Sequence, residues 1–236
     1  MLASQNLSFS YVSGEAGSAV MRFPDLALPQ GGVLLLQGPS GSGKSTLLAL
    51  MCGLLSGYAG RLHVAGQDMM AIQDAQRDAW RGRTVGFLPQ RLHLSESLNA
   101  RGNLALVFFA AGLPEDAAKI DAALDALGVL NLAQRRPSEL SGGQAQRVAL
   151  ARATLLSPKI ILADEPTASL DGDAASDAMA LLLQAAQRCG ASLVVATHDS
   201  RVKLALAASG QAIERVQLLT LGKKDDFRPS ILREVL

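Results

Sequence analysis

A phosphate-binding loop constrains the fold of this chain more than any other feature of its sequence. The loop fits the pattern G-x-x-x-x-G-K-[ST] and consists of Gly38, Pro39, Ser40, Gly41, Ser42, Gly43, Lys44, Ser45 and Thr46. An apolar run at 33–36 precedes it, and apolar residues at helical spacing follow it between 47 and 55. A loop between a strand and a helix binds anions, because its backbone amides and the helix N-terminus face the same point. The segment therefore predicts an α/β protein that binds a polyphosphate.

Two side chains of the loop suit a nucleotide and its metal ion. Lys44 supplies a mobile positive charge, and Ser45 places a hydroxyl where a Mg²⁺ ion bridging two phosphates would sit. The glycines let the backbone wrap the anion. The alternative is a surface loop that is merely rich in glycine and serine, and the flanking strand and helix patterns argue against it.

Two carboxylates follow a second apolar run, at 160–163. Because side chains alternate along a strand, Asp164 and Glu165 are predicted to lie on opposite sides of the chain and to do different work. Asp164 is the natural partner of the Mg²⁺ shell, and Glu165 could orient and deprotonate an attacking water. An acidic pair after a strand can also be no more than the start of a loop.

A second helix start could attract an anion. Ser141, Gly142, Gly143 and Gln144 come directly before a helical pattern that stops at Pro158. The serine and the glycine amides could bind a phosphate by the same dipole effect as the first loop. The alternative is a helix cap without a ligand.

The remaining patterns predict the fold class. Three short apolar runs are typical of strands buried on both faces of a parallel sheet, at 33–36, 160–163 and 193–196. Helical patterns at 114–127 and 173–189 alternate with them, and each ends at a glycine. Alternating residues at 7–11 predict a half-buried strand, and a similar short strand is expected at 60–66. We expect one α/β domain over 1–236, with a doubly wound sheet and a helical insertion.

The composition excludes several classes of protein. Charged residues make up 18% and apolar residues 49% of the 236 residues, which excludes a disordered chain. The 22 basic and 21 acidic residues leave a net charge of +1, so no global field attracts nucleic acid. Cys52 and Cys189 are the only cysteines, so we expect neither a disulfide framework nor a zinc site and predict two core thiols.

Two observations predict a cytoplasmic protein. The longest apolar stretches, such as 104–113, are shorter than the ~20 residues that cross a hydrocarbon core, so no membrane span is expected. The N-terminal stretch has neither the basic start nor the continuous apolar region of a secretory signal.

From about Leu7 to Asp199, the order of these motifs resembles the ATP-binding subunit of an ABC transporter. The resemblance implies a P-loop NTPase of the ABC type, with a central, mostly parallel sheet and an antiparallel β subdomain. A helical subdomain would be inserted at about 91–157. It also implies ATP and Mg²⁺ as cofactors and ATP hydrolysis coupled to transport.

The resemblance assigns roles to further residues. Tyr11 would stack on adenine, Gln90 would link the Mg²⁺ and water site to the membrane partner, and Ser141 to Gly143 would be the signature. Asp171, in Ser169-Leu170-Asp171, would communicate between subunits, and His198 would contact the γ-phosphate. The alternatives are a strand surface aromatic for Tyr11, a plain loop amide for Gln90, a helix cap for Asp171 and an ordinary strand-end histidine for His198.

The implied assembly has two ATP-binding domains that meet head to tail, each signature facing the phosphate held by the other. The intact motifs are compatible with a homodimer, and the other partners would be transmembrane permease subunits, with no nucleic acid. The chain would then be peripheral, at the cytoplasmic face of the inner (plasma) membrane. Arginines cluster around Gln90, where this family docks a short helix of the membrane subunit, although a solvated basic face would look the same: Arg77, Arg81, Arg83 and Arg91.

The segment 91–104 looks similar to the export-type group that serves lipoprotein release, macrolide efflux and glycolipid export. Ala145 and the lack of proline between Leu94 and Leu98 depart from the family pattern. One alternative is a soluble ABC ATPase acting in DNA repair or translation, but such proteins usually carry coiled-coil insertions or two fused cassettes. Another is a switch that binds nucleotide without hydrolysing it, which would fit only if Glu165 were missing.

Overall fold

The computed structural model describes residues 1–11, 20–168, 170–218 and 234–235. The strands in these ranges are β1 (Leu2–Phe9), β2 (Met21–Arg22), β3 (Leu26–Leu28), β4 (Val33–Gln37), β5 (Ala59–Val64), β6 (Gln67–Asp68), β7 (Val85–Leu88), β8 (Ile160–Asp164), β9 (Ser192–Thr197), β10 (Ile213–Gln217) and β11 (Glu234–Val235). The helices are α1 (Lys44–Met51), α2 (Asp74–Thr84), α3 (Ala100–Ala111), α4 (Ala117–Asp125), α5 (Gly142–Thr154), α6 (Gly172–Cys189) and α7 (Ser200–Ala208). Two short 3₁₀ turns span Leu130–Leu132 and Pro137–Glu139. Within the described ranges, no helix combines the length and the apolar character that crossing a bilayer requires.

The central sheet has six strands in the order β11-β10-β4-β9-β8-β7. The five from β10 to β7 are parallel, and β11 pairs antiparallel with β10. The three apolar runs form the strands β4, β8 and β9 at its centre, as predicted. Their carboxyl ends meet at one edge, where the phosphate loop follows β4.

A second, antiparallel sheet packs beside the first. Its strand β1 pairs with β2, β3 and β5, and β6 pairs with β5. The structure corrects the prediction for the first strand, which begins at Leu2 and ends at Phe9 instead of running from 7 to 11. Tyr11 therefore lies beyond the strand, and 52% of its surface is exposed.

The core lies on both faces of the parallel sheet. Alternate residues of β4 point to opposite sides, so that Val33 and Leu35 belong to one apolar cluster and Leu34 and Leu36 to the other. The first cluster packs under α3 to α7, and the second packs under α1 and the antiparallel sheet. This double burial explains why the three central strands read as continuous apolar runs.

The helices from α3 to α5 lie between β7 and β8 in the chain. This is the position expected for the helical subdomain, whose extent of about 91–157 stays a prediction. The helix predicted at 114–127 is shorter than expected, because Asp116 caps α4 and the helix ends at Asp125. The helix predicted at 173–189 is α6, and Gly190 ends it with φ 60°.

The two cysteines differ in their surroundings. Cys52 is fully buried beyond the end of α1, and this burial raises the pKa of its thiol to about 12. Cys189 is the last residue of α6 and is half-buried, so only Cys52 is the fully enclosed core thiol that we predicted for both.

Candidate functional site

The phosphate loop connects β4 to α1 and leaves the start of that helix open. Gly43 is the N-cap with φ 92°, no side chain caps the helix, and its first turn holds no acidic residue. The helix amides and the positive end of the dipole are therefore available to an anion. Gly38 must be glycine, since a Cβ there would lie 2.6 Å from both Leu218 O and Ser42 Oγ.

Lys44 is buried at the start of α1, and its ammonium is held by the loop itself. Its Nζ donates to Gly38 O at 2.7 Å and to Pro39 O at 3.1 Å. The same atom lies 3.7 Å from Glu165 Oε1. The lysine thus links the phosphate loop to the carboxylate that follows β8.

Asp164 is buried at the end of β8, where the donor set suits a magnesium ion. Burial raises the pKa of its carboxyl, while a hydrogen bond from the Ser45 hydroxyl and the nearby Lys44 ammonium oppose the rise. Its Oδ1 is buried and finds no hydrogen-bond partner in the described part of the chain. A carboxylate oxygen and a serine hydroxyl beside a phosphate loop are the hard oxygen ligands that Mg²⁺ prefers. The residues therefore fit this ion.

Glu165 does not point away from Asp164 in the simple way that strand alternation predicts. It lies one residue beyond β8 and has φ 49°, a left-handed conformation in which the alternation rule no longer applies. Its backbone N–H donates to Ala196 O at 2.8 Å, which fixes the turn against β9. Its carboxylate consequently reaches Lys44 and the end of β9.

The two oxygens of the Glu165 carboxylate have different partners. Oε1 lies 2.7 Å from His198 Nδ1, and Oε2 accepts from the Thr197 hydroxyl at 2.7 Å. The His198 backbone N–H lies 3.4 Å from Oε2. Glu165 is buried, whereas the side chain of His198 is 67% exposed. A buried carboxylate thus meets an exposed imidazole next to the phosphate loop.

Gln90 follows β7, the strand beside β8. Leu88 pairs with Ala163, so the chain leaves both strands at the same edge of the sheet, and Gln90 is exposed there. Arg152 of α5 holds the next segment, since its guanidinium donates to Leu92 O at 2.6 Å and to His93 O at 2.8 Å. The loop that carries Gln90 is therefore fastened to the helix that begins after Ser141.

The helix α5 begins as predicted. Ser141 caps it by accepting from Gln144 N at 3.3 Å, and the Gln144 side chain accepts from Ser141 N at 2.9 Å. A Cβ added at Gly142 or Gly143 would meet nothing within 4 Å, so both glycines face open space. Ser141 and Gln144 thus form a reciprocal capping box, and the binding of a phosphate at this helix start stays a prediction.

Asp171 caps α6 and lies near a network that joins two loops. Its carboxylate accepts from Ala174 N at 2.9 Å. Just before it, Leu170 O accepts from Arg201, which also binds Asp199. Ser169, its neighbour in the predicted motif, lies outside the described residues.

Tyr11 lies over the start of α1. Its hydroxyl is 3.1 Å from Thr46 Oγ1, and its ring meets that of Phe9 edge-on with centroids 4.9 Å apart. The exposed ring is therefore held beside the phosphate loop, and its role as an adenine platform stays a prediction.

Two features near the site escaped sequence reasoning. Thr197 donates to Glu165, and the only signal for this contact in the sequence is that Thr197 directly precedes His198. The salt bridge of Asp199 with Arg201 holds the pKa of Asp199 at about 2, and Thr167 Oγ1 donates to the same carboxylate at 2.8 Å. An aspartate before a helical pattern is a recognisable cap, but its link to Thr167 is visible only in the fold.

A groove of about 590 Å³ lies between α2, α3, β7 and α5. Phe109, which is 86% exposed, and Leu106 form its apolar rim. Of the four arginines that cluster around Gln90 in the sequence, Arg81 lines the groove and is paired with Asp78. The others are not a uniform solvated face, since Arg77 pairs with Asp74 at 3.1 Å and Arg83 donates to Ala111 O at 3.0 Å. Arg91 is exposed beside Gln90.

Curated relatives are similar over most of the chain. The lipoprotein-releasing system ATP-binding protein LolD of Anaeromyxobacter dehalogenans is 41% identical over 195 residues, which cover 81% of this chain and 82% of that protein. The LolD protein of Idiomarina loihiensis is 38% identical over 224 residues, which cover 94% and 95%. These relatives give no support to the alternative of a soluble ATPase in DNA repair or translation.

Solved structures have the same fold. The ATP-binding cassette MJ0796, in a dimeric post-hydrolysis state with ADP and Pi, superposes with a TM-score of 0.78 at 28% identity over 97% of this chain and 99% of that chain. The cassette cbiO1 of Clostridium perfringens, part of the transporter complex cbiONQ, gives a TM-score of 0.75 at 26% identity over 91% and 83%. Residues 23–168 match the family described as ABC transporter. With the motifs in order along the shared fold, the chain belongs to the ABC transporter family, as an ATP-binding subunit that hydrolyses ATP to power transport.

Proposed function

We propose that this chain is the ATPase subunit of a lipoprotein-releasing transporter, with Glu165 as the base that activates water for hydrolysis. The observation that carries the mechanism is the buried Glu165 carboxylate, held between Lys44 and His198 beside the phosphate loop. The curated LolD relatives support lipoproteins as the transported class of molecule, since their similarity covers most of the chain.

ATP binding uses the loop and the aromatic ring near it. The amides from Gly38 to Thr46 and the open start of α1 receive the phosphates. Lys44 exchanges its hydrogen bonds to the loop carbonyls for hydrogen bonds to phosphate oxygens. Its positive charge is then paired with the negative charge of the phosphates. Tyr11 stacks on the adenine from its position above Thr46.

Ser45, Asp164 and Gln90 are the residues that would hold Mg²⁺. When bound, the ion supplies positive charge to the phosphates during transfer. Burial raises the pKa of Asp164, and the Ser45 hydroxyl and the Lys44 ammonium offset part of this rise, so they favour the ionised form of the carboxylate that would bind the ion.

Hydrolysis needs one proton transfer and one displacement. A water proton moves to Glu165 Oε1, the water oxygen forms a bond to the γ-phosphorus, and the bond from that phosphorus to the bridging oxygen of ADP breaks. His198 orients the carboxylate through Nδ1 and contacts the γ-phosphate. Gln90 orients the water at the end of the neighbouring strand.

The active form is a head-to-tail dimer of two such chains. The exposed helix start formed by Ser141, Gly142, Gly143 and Gln144 would bind the γ-phosphate held by the other copy. Asp171 would connect the two sites. The dimeric state of the MJ0796 cassette supports this arrangement.

The membrane partner docks in the groove between α2, α3, β7 and α5. An exposed apolar rim at Phe109 and Leu106 with Arg81 inside the groove suits a short amphipathic helix that carries acidic residues. Docking there would hold the chain at the cytoplasmic face of the inner membrane, as a peripheral subunit beside transmembrane permease subunits.

Replacement of the proposed base tests the mechanism. Glu165→Gln keeps the shape of the side chain and cannot take a proton, so ATP hydrolysis should fall about 10²- to 10⁴-fold. ATP binding should remain, and ATP should trap a dimer that light scattering after size-exclusion chromatography detects. The exposed Glu115→Gln serves as the matched control and should behave as the wild type. Retained turnover in Glu165→Gln would disprove the assigned role.

Purification from native membranes tests the transporter assignment. A tag on this chain should recover a membrane protein with a large periplasmic domain, together with ATPase activity in the same sample. Recovery of ribosomes or DNA-repair factors without a membrane partner would leave the ATPase standing and would reject the proposed transporter.

A further inference from the structure

We infer that Thr197 is a positioning residue that clamps Glu165 Oε2 and thereby selects Oε1 as the oxygen that takes the proton from water. The inference rests on the proposed role of Glu165 as the base. It concerns a residue that the phosphate loop, the acidic pair and the signature do not include.

The hydrogen bonds of Thr197 have only one possible direction. The Asp199 backbone N–H, which can only donate, donates to Thr197 Oγ1 at 2.9 Å. The single hydroxyl hydrogen of Thr197 is therefore free for Glu165 Oε2, 2.7 Å away. An ionised carboxylate makes this a charge-assisted hydrogen bond, which is stronger than one between neutral groups.

This contact makes the two carboxylate oxygens unequal. Oε2 is held by the Thr197 hydroxyl and faces the His198 backbone N–H at 3.4 Å, and both groups belong to the chain at the end of β9. Oε1 faces the His198 ring, whose side chain is 67% exposed, and the Lys44 ammonium, which would turn to the phosphates when ATP binds. Of the two oxygens, Oε1 is thus the one that keeps a lone pair for water once Lys44 turns to the phosphates, while His198 continues to orient the carboxylate.

Thr197 is well placed to act as a clamp. It is fully buried, and it is the last residue of the central strand β9, where it pairs with Gln37 of β4, directly before the phosphate loop. A β-branched side chain in a strand has restricted χ1 freedom, so its hydroxyl keeps a fixed direction. The position of Oε2 is consequently tied to the centre of the parallel sheet.

Three variants separate positioning from stability. Thr197→Val keeps the volume and removes the hydroxyl, and Thr197→Ser restores the hydroxyl on a smaller side chain. Ser192→Ala is the matched control at the other end of β9. The Ser192 hydroxyl is likewise buried, accepts from a backbone N–H, that of Gly31 at 3.1 Å, and donates to an oxygen, Pro29 O at 3.0 Å.

We expect kcat to report the clamp. In the full chain with Mg²⁺ and ATP, Thr197→Val should lower kcat about tenfold to a hundredfold while KM for ATP changes less than about threefold. Thr197→Ser should keep kcat within about threefold of the wild type. Thr197→Val and Ser192→Ala should lower the melting temperature by a similar amount, but Ser192→Ala should leave kcat unchanged.

Several results would overturn the inference. These are an unchanged kcat in Thr197→Val, an equal loss of kcat in Thr197→Val and Thr197→Ser, and a loss of the same size in Ser192→Ala. Glu165→Gln, measured beside them, keeps the two proposals apart. If Glu165→Gln lowers turnover about 10²- to 10⁴-fold and Thr197→Val does not lower it, the clamp alone fails. A turnover in Glu165→Gln close to that of the wild type would overturn the proposed base and the clamp with it.

Discussion

At the scale of single residues, the site keeps a charge where burial opposes it. The Asp164 carboxyl is buried at the end of β8, and burial is the main cause of its raised pKa. The Oδ1 atom also lacks a hydrogen-bond partner within the described residues. A buried, incompletely paired carboxylate lowers the stability of a fold, and residues of this kind are retained for binding a ligand.

Removing this charge should therefore stabilise the nucleotide-free protein. Asp164→Asn should add about 1 kcal/mol to the free energy of unfolding at neutral pH. An acid whose pKa is higher in the folded state lowers stability once the pH exceeds its value in the unfolded chain, so the gain should shrink as the pH falls towards about 4. Thermal unfolding of Asp164→Asn and the wild type, from neutral pH down to about pH 4, measures this gain in stability.

The same variant should lose the stabilisation that Mg²⁺ and ATP give to the wild type, together with ATP hydrolysis. Asp125→Asn, at an exposed position of α4, is the matched control and should change neither quantity. A nucleotide-free Asp164→Asn protein that melts below the wild type would contradict this prediction, because it would show that the carboxylate stabilises the fold even without a bound cation.

At the scale of elements, a buried asparagine orders the chain between Gln90 and α3. Asn103 is fully buried, and its Oδ1 accepts from Ser95 N at 2.7 Å. Its Nδ2 lies 3.0 to 3.2 Å from the carbonyl oxygens of Ser95, Leu98 and Asn99, and its two hydrogens are shared among these three acceptors. One side chain thus satisfies the backbone of a loop that has no regular structure of its own.

Asn103→Ala should destabilise the protein by about 2–4 kcal/mol, because it leaves several buried backbone groups without partners. Urea unfolding measures the loss, and the exposed Asn131→Ala should cost less than about 0.5 kcal/mol. Equal unfolding midpoints for the two variants would contradict the role given to Asn103.

The elements also show how far a sequence can be interpreted without a structure. The strands β4, β8 and β9 could be predicted because burial on both faces leaves an unbroken apolar run. The sequence pattern does not predict the strand β10, since polar residues interrupt its apolar ones, and it does not predict α2, because no residue of that helix is fully buried. Periodicity can detect only the elements that the core shapes.

The candidate site followed the same division. The phosphate loop from Gly38 to Thr46 could be named from its spacing, whereas the stretch from Ser141 to Gln144 could be named from its residues only as a helix start, and the resemblance assigned its role. The contact of Thr197 with Glu165 joins residues on two strands, and the left-handed turn at Glu165 depends on its bond to Ala196 O. These contacts join residues that are far apart in the sequence, so a local sequence pattern cannot predict them.

At the scale of the whole molecule, Gln30 ties the antiparallel part of the chain to the far edge of the parallel sheet. Its Nε2 donates to Lys159 O at 2.8 Å and to Gly190 O at 2.7 Å, and its Oε1 accepts from the amino group of Met1 at 3.1 Å. The antiparallel strands are therefore fastened at the edge opposite the phosphate loop. None of these contacts involves a residue that lines the groove between α2, α3, β7 and α5.

Charge reversal in that region should weaken assembly without affecting the nucleotide. Arg81→Glu places a negative charge in the groove and puts two acidic side chains together with Asp78, so less membrane partner should be recovered with the tagged chain. Arg91→Glu should act in the same direction. ATP affinity should not change, and Arg61→Glu, exposed on β5, should recover a normal amount of partner. Unchanged recovery with Arg81→Glu would contradict the proposed docking site.

Because the two cysteines are buried to different degrees, this chain has one cysteine suited to attaching a fluorescent label. Maleimide dyes react with the exposed thiolate, a form that Cys52 does not offer because it is fully buried with a thiol pKa of about 12. Cys189 is half-buried at the end of α6, and although burial also raises the pKa of its thiol, part of its surface is accessible. It lies three residues before β9 begins and thus at the sheet edge opposite the phosphate loop. In the proposed dimer, a donor and an acceptor dye on the two copies would therefore report opening and closing by energy transfer, in the wild-type sequence and with both labels away from the phosphate loop.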